Sequence, residues 1–367
     1  LVTDYDNYIS LKLAGDDAYL SEKMVGYPAE LDEVYAESFE EQKKEWFSSV
    51  GAGIQECRNT WEHKKWNITD FPEFELAITI DRPELYYDFL QKDWTRFCHD
   101  YWKNNFLEHH TLSQKRVTRI YIGNQFCHNL FPRKELLFQV LEKALENNLA
   151  VTLAFSYIRN HLLEEIDELL QELEVWCQSR EKEAGKDQEE IIVNDWAMPI
   201  LLQGKPHLKP VLGVLLNKRR KDVRLPYKHG IGNHVDSLAE NNLNCGFYQD
   251  YLKNTFDIQR FEFESCGYKV TIPDGHHSLH LPFFQTNTSQ YCTLYAVCRY
   301  GDRGKQKLPE NCPRYCNKKV FLYPKHLKMV GRYNSLFGYD EKILWDEKQL
   351  QDYLEQGIDR IVVNVSL

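Results

Sequence analysis

Cys298, Cys312 and Cys316 fall in the stretch CRYGDRGKQKLPENCPRYC with the spacing C-x13-C-x3-C, and Pro313 follows the middle one. Three thiols in one polar loop with Gly and Pro turns are well placed to hold a metal. Thiolates are soft ligands that suit zinc or an iron–sulfur cluster. A closed site needs a fourth ligand. Cys127, in RIYIGNQFCHNLFPRKEL, is the candidate, because an apolar run ends there and a helical pattern begins. Cys292, close before Cys298, is a possible substitute. Zinc uses the same thiolates, so at this point both a cluster and a zinc ion remain open.

Other residue types could move protons or bind charge. Asp195, with Asn194 before it, ends the apolar run EIIVND and could orient a substrate; the commoner use of such residues is to cap the next helix. His229 and His234, in YKHGIGNHVDS, are candidate proton-transfer groups. Arg303 and Lys325 could bind an acidic group. His276, His277 and His280, in PDGHHSLHLP, read as a solvent-exposed loop. The basic run Lys218 to Lys221 reads as a solvated surface. The sequence has no serine nucleophile elbow, H-E-x-x-H or paired-carboxylate signature, so hydrolysis has no motif behind it. No G-x-G-x-x-G or Walker A follows any strand, so a nucleotide site has none either.

The elements that must position these residues are legible from periodicity. Residues 1–115 read as an added N-terminal α+β module. Within it, Tyr35 to Val50 is expected to be a helix, FELAITI (74–80) a strand, and the aromatic-rich segment from Pro83 another helix. From Arg116 strands and helices alternate. The expected strands are RVTRIYIG, AVTLAFSY, EIIVND, KPVLGVLLN, RFEFES, TLYAVC, KVFLYP and DRIVVNV. Helices are expected over Arg133–Asn147, Leu162–Arg180 and Gln349–Glu355. Short strands alternating with helices imply parallel βαβ units. Eight of them predict an α/β fold with a TIM-like barrel, closed or else irregular and incomplete, over residues 116–367; an open doubly wound sheet is the runner-up. In such a barrel the loops at the strand C-termini would bring Cys127, Asp195 and the cysteine stretch to one end.

The chain has 367 residues, 43% hydrophobic and 27% charged, which is enough for a sizeable core. Its formal net charge of −10 disfavours nucleic acid as a partner without excluding a local basic patch. No apolar run reaches the ~18 residues needed to span a bilayer. No signal-peptide pattern opens the sequence, so a cytoplasmic location is expected. In a reducing compartment, clustered cysteines are more often metal ligands than disulfides. The other cysteines, Cys57, Cys98, Cys177, Cys245, Cys266 and Cys292, read as small buried hydrophobes.

From about Arg116 onward the chain resembles the collagenase-like peptidase superfamily, and within it the ubiquinone-biosynthesis iron–sulfur proteins UbiU and UbiV. The resemblance rests on Ile122-Gly123-Asn124-Gln125-Phe126-Cys127, on Ile192-Val193-Asn194-Asp195, and on the Tyr295–Cys298 strand end followed by Asp302-Arg303 and Cys312-x3-Cys316. It covers about two thirds of the chain. The Cys298–Cys312 loop is slightly longer than the family pattern, and residues 1–115 are not part of that pattern. The resemblance implies a [4Fe–4S] cluster on Cys127, Cys298, Cys312 and Cys316. It further implies an oxygen-independent hydroxylation, with a homologous subunit as a partner and an aromatic or peptide substrate. The competing reading is a noncatalytic binding subunit with a structural metal site.

Overall fold

The computed structural model describes residues 35–36, 71–184, 188–223, 238–302, 304–305, 307–309, 311–322 and 328–365. After β1 (Tyr35–Ala36) comes β2 (Glu75–Ile80), followed by α1 (Pro83–Gln91) and α2 (Trp94–Asn104). Three strand–helix units follow: β3 (Arg119–Gly123) with α3 (Lys134–Glu146), β4 (Ala150–Ala154) with α4 (Leu163–Ala184), and β5 (Glu189–Val193) with α5 (Ala197–Leu201). Then come β6 (Leu208–Leu212), α6 (Gly246–Phe256), β7 (Glu262–Glu264) and β8 (His277–Leu281). An insertion carries β9 (Phe283–Thr288), α7 (Thr293–Tyr300), β10 (Val320–Leu322), β11 (Met329–Arg332) and β12 (Ser335–Tyr339). The chain returns through α8 (Glu347–Glu355) to β13 (Ile358–Val363).

Eight parallel strands run in the order β6-β5-β4-β3-β2-β13-β8-β7. The seam between β6 and β7 is held by one parallel bridge, Leu212 to Phe261, with the Leu212 N–H donating to the Arg260 carbonyl at 3.0 Å. This is a TIM-like α/β barrel with one weak seam. Alternation along the strands sets its two surfaces. Leu76, Ile78, Ile120, Ile122, Val151 and Leu153 face outward into the larger core beneath the helices. Ala77, Tyr121, Ala154, Ile192, Val211 and Val362 form a separate inner cluster. On α3, Leu137, Val140, Leu141 and Ala144 are buried at helical spacing and dock the helix on the outer surface.

The lower interior is ionic. Arg360 grips Glu190 with two bonds of 2.6 and 3.0 Å and reaches Glu75 at 2.6 Å. Arg119 bonds the same two carboxylates at 3.0 and 3.3 Å. Buried charges persist only when each is paired and hydrogen-bonded, and this lattice meets both conditions.

A second, antiparallel sheet has the order β1-β10-β11-β12-β9. All of it except β1 belongs to the insertion between barrel strands β8 and β13.

Several expectations change. FELAITI is a barrel strand, lying between β3 and β13, so residue 115 does not separate a module from the barrel. TLYAVC forms α7 instead of a strand: the Cys292 thiol accepts the Tyr295 N–H at its start, and Gly301, with φ +66°, ends it. KVFLYP supplies β10 of the second sheet. The His-rich segment is not a loop; it is β8, with His277 and His280 buried and His276 exposed against Asp359. Of the helix expected over 35–50, Tyr35–Ala36 is the strand β1, and the rest lies outside the described residues. The single aromatic-rich helix expected from Pro83 is two, α1 and α2, broken at Lys92–Asp93, where the Asp93 side chain accepts the Arg96 N–H and caps α2. The other expected strands and helices are present.

Candidate metal centre

Gly123 closes β3 with φ +107°, a backbone state that glycine adopts freely. Asn124 then folds the turn by accepting the N–H groups of Phe126 and Cys127, both at 2.9 Å, while its amide donates to the Asp81 carbonyl at 3.3 Å. These bonds fix Cys127 at the C-terminal end of the barrel, where TIM-like barrels carry their chemistry. From the insertion, Cys312 and Cys316 flank Arg314, whose left-handed φ of 53° leads into a short turn at Tyr315–Asn317. Arg332 donates from Nε to the Cys316 carbonyl at 3.0 Å and ties that turn to β11.

Cys127, Cys292, Cys312 and Cys316 line one pocket of about 480 Å³ that is partly open to solvent. Arg159, His128, Tyr157 and Asn334 complete its polar wall. Cys298, on the α7 helix, is not among the lining residues. Cys292 stands in its place: its Sγ bonds the Tyr333 carbonyl at 2.9 Å and receives the Tyr295 N–H at 3.3 Å.

The thiols feel one another. Burial pushes the Cys127 thiol up to about 11, and Cys312 adds to the rise. Burial pushes Cys316 up to about 12, with Cys127 and Cys312 adding to it and Arg332 opposing. Burial raises Cys292 well above the ordinary thiol range, with Cys127, Cys316 and Cys312 contributing. Four thiols from two distant segments thus share one partly buried space. A metal here would displace their protons, because the thiolate is the ligand. Among the described residues, no group of three or more His, Cys, Asp or Glu is drawn tightly enough to hold a metal ion.

His128, beside the thiols, is pushed down to about 4 by burial and by Arg159 and His161. It is therefore neutral at pH 7, and Arg159 supplies a cation in the wall.

The remaining candidates divide. Asp195 is a cap: Oδ1 accepts the N–H groups of Ala197 and Met198 at 2.9 and 3.1 Å, and Oδ2 accepts the Ile158 N–H. Both of its oxygens accept backbone N–H groups, the capping use that such a residue commonly has. Asn194 is buried and links loops by bonding the Phe155 carbonyl at 2.7 Å and the Gln125 side chain at 3.3 Å. His229, His234, Arg303 and Lys325 lie outside the described residues. In the basic run, Lys218 and Arg220 are exposed, whereas Arg219 and Lys221 turn inward onto the Glu264 carbonyl and carboxylate. Of the other cysteines, Cys177 and Cys266 are buried, Cys98 is half-buried and Cys245 is exposed; Cys57 lies outside the described residues. Arg159 and His128 had no motif to mark them. Their chain positions, in loops after β4 and β3, are the only signal the sequence offers.

No family model matches this chain, and no curated protein or solved structure matches it. Among the described residues, no helix is long and apolar enough to cross a membrane.

Proposed function

We propose that the chain is a [4Fe–4S] protein that takes part in an oxygen-independent hydroxylation or a related redox modification. The observation that carries this reading is the convergence of Cys127, Cys292, Cys312 and Cys316 on one pocket at the C-terminal end of the barrel. These four residues would hold the cluster, with Cys298 as the alternative to Cys292. When bound, such a group supplies electron transfer or Lewis acidity, tuned by burial and nearby hydrogen bonds. The chain's own residues do the rest. Arg159 offers a cationic anchor at the pocket wall, neutral His128 can accept or donate a hydrogen bond, and Tyr157 and Asn334 orient whatever enters. Phe131 and Phe155 stack at 4.3 Å behind the β3 turn and support it from the apolar side.

This reading keeps the cytoplasmic location, a homologous subunit and an aromatic or peptide substrate as proposals. Support comes from the thiol arrangement and from the sequence resemblance. The test is Cys312→Ala in protein purified without oxygen. Loss of bound iron and sulfide with an unchanged circular dichroism spectrum and melting point supports a redox cofactor. Loss of fold together with the metal favours a structural site in a noncatalytic binding subunit.

A further inference from the structure

A second pocket, open to solvent, lies at the barrel mouth, with about 440 Å³ of empty space that includes solvent. Its walls come from the strand ends: Thr79 and Asp81, Tyr121, Val214, Glu264, and His280. Gly123–Phe126 line this cavity and Cys127–Asn129 line the thiol pocket, so one turn forms a wall of both.

Most of the polar groups here are spoken for. Glu264 pairs with Lys221 and accepts the Gln285 N–H at 2.7 Å. His280 Nε2 lies 2.5 Å from Glu262 Oε2, and the other Glu262 oxygen accepts the Tyr121 hydroxyl at 3.0 Å. Asp81 differs. Among the described residues it makes no ion pair, and its buried Oδ1 has no hydrogen-bond partner. Nor does it cap the helix that follows: Arg82 is the N-cap of α1, and no side chain bonds there. A buried carboxylate oxygen without a donor is costly. Here it belongs to the wall of a cavity.

We propose that the mouth cavity binds an organic cation, with an ammonium or amidinium group donating to Asp81 and an apolar body lying against Phe126 and Val214. An anion is disfavoured, because the Lys221 charge is already taken by Glu264. A metal ion is disfavoured, because no set of three ligands is assembled among the described residues. The site uses none of the cysteines and does not depend on the iron–sulfur reading.

Benzamidine and benzoate, matched in ring and opposite in charge, are the probes, titrated calorimetrically into the full chain. Benzamidine binds and benzoate does not. Asp81→Asn weakens benzamidine by about tenfold or more, the effect of losing one hydrogen bond to a charged group. Cys312→Ala leaves the affinity unchanged, so a failed thiol site and a failed mouth site are read separately. If Asp81→Asn does not fold, nuclear Overhauser contacts from the benzamidine ring to the Val214 methyls of the wild-type protein decide. Contacts at Val214 uphold the site. Absent binding, equal binding of benzoate, or binding indifferent to Asp81→Asn would overturn it and leave Asp81 satisfied by water alone.

Discussion

Cys127 and Cys312 line the same pocket, although one ends the turn after β3 and the other lies in the insertion between β8 and β13. A parallel barrel makes this possible. All of its strands deliver their following loops to one end, so the turn after an early strand meets the insertion after a late one. The relationship is electrostatic as well as spatial, because Cys312 helps to raise the Cys127 thiol.

The ligand set can be separated by two substitutions. Cys292 lines the pocket and Cys298 does not. Cys292→Ala is expected to lose most of the bound iron and sulfide, whereas Cys298→Ala retains them. Metal analysis of the two variants, purified side by side without oxygen, checks this. The reverse result would return Cys298 to the site.

Gly123→Ala probes the turn that aims Cys127. A Cβ there would lie 2.6 Å from the Ala154 carbonyl oxygen and 2.7 Å from the Phe131 ring, at a φ of +107°. Backbone strain of this kind costs about 1–3 kcal/mol. The variant should melt lower, and its iron content should fall with the displaced turn. Denaturant unfolding and metal analysis on the same sample report both effects.

Asp195→Ala separates capping from catalysis. Losing the bonds to Ala197, Met198 and Ile158 should cost about 0.5–2 kcal/mol of stability. Iron content should be unchanged. A drop in metal with no drop in stability would give Asp195 a role at the site after all.

The ionic lattice at the base of the barrel predicts an acid transition. Burial alone would push Glu190 up, but Arg119 and Arg360 outweigh it and hold its carboxyl at about 2. The folded value is depressed, so the stability it contributes is fully present above the ordinary value of 4.5 and is lost as pH falls through about 2. Glu190→Gln should lower stability at pH 7 by about 3–5 kcal/mol, because it breaks a buried pair. The same variant should also flatten the dependence of the melting point on pH across that window.

The sequence shows the barrel better than it shows the barrel's membership. Six of the eight expected strands are barrel strands, because apolar runs such as EIIVND and DRIVVNV have no other good place to be buried. FELAITI reads as a strand, yet nothing local says that it pairs with β3 and β13. β8 is hidden because its inward residues, Ser278 and His280, are polar and meet a polar interior at Tyr121 and Glu262. TLYAVC has strand-like composition but is flanked by a thiol cap and a glycine stop, and these end effects outweigh propensity. That difference also sets the pocket's lining: Cys298, inside the helix, is not part of it, and Cys292, at the N-cap, is. The mouth cavity was illegible for another reason. Asp81 reads as the end of a strand, and only the closed barrel shows that its Oδ1 is buried without a hydrogen-bond partner among the described residues.

The central claim is a cluster on the converged thiols. The direct measurement is iron and acid-labile sulfide content, with a visible absorption spectrum, on protein purified without oxygen. The account predicts about four irons and about four sulfides per chain with a broad thiolate-to-iron absorption. One zinc without sulfide, or no metal at all, would contradict it.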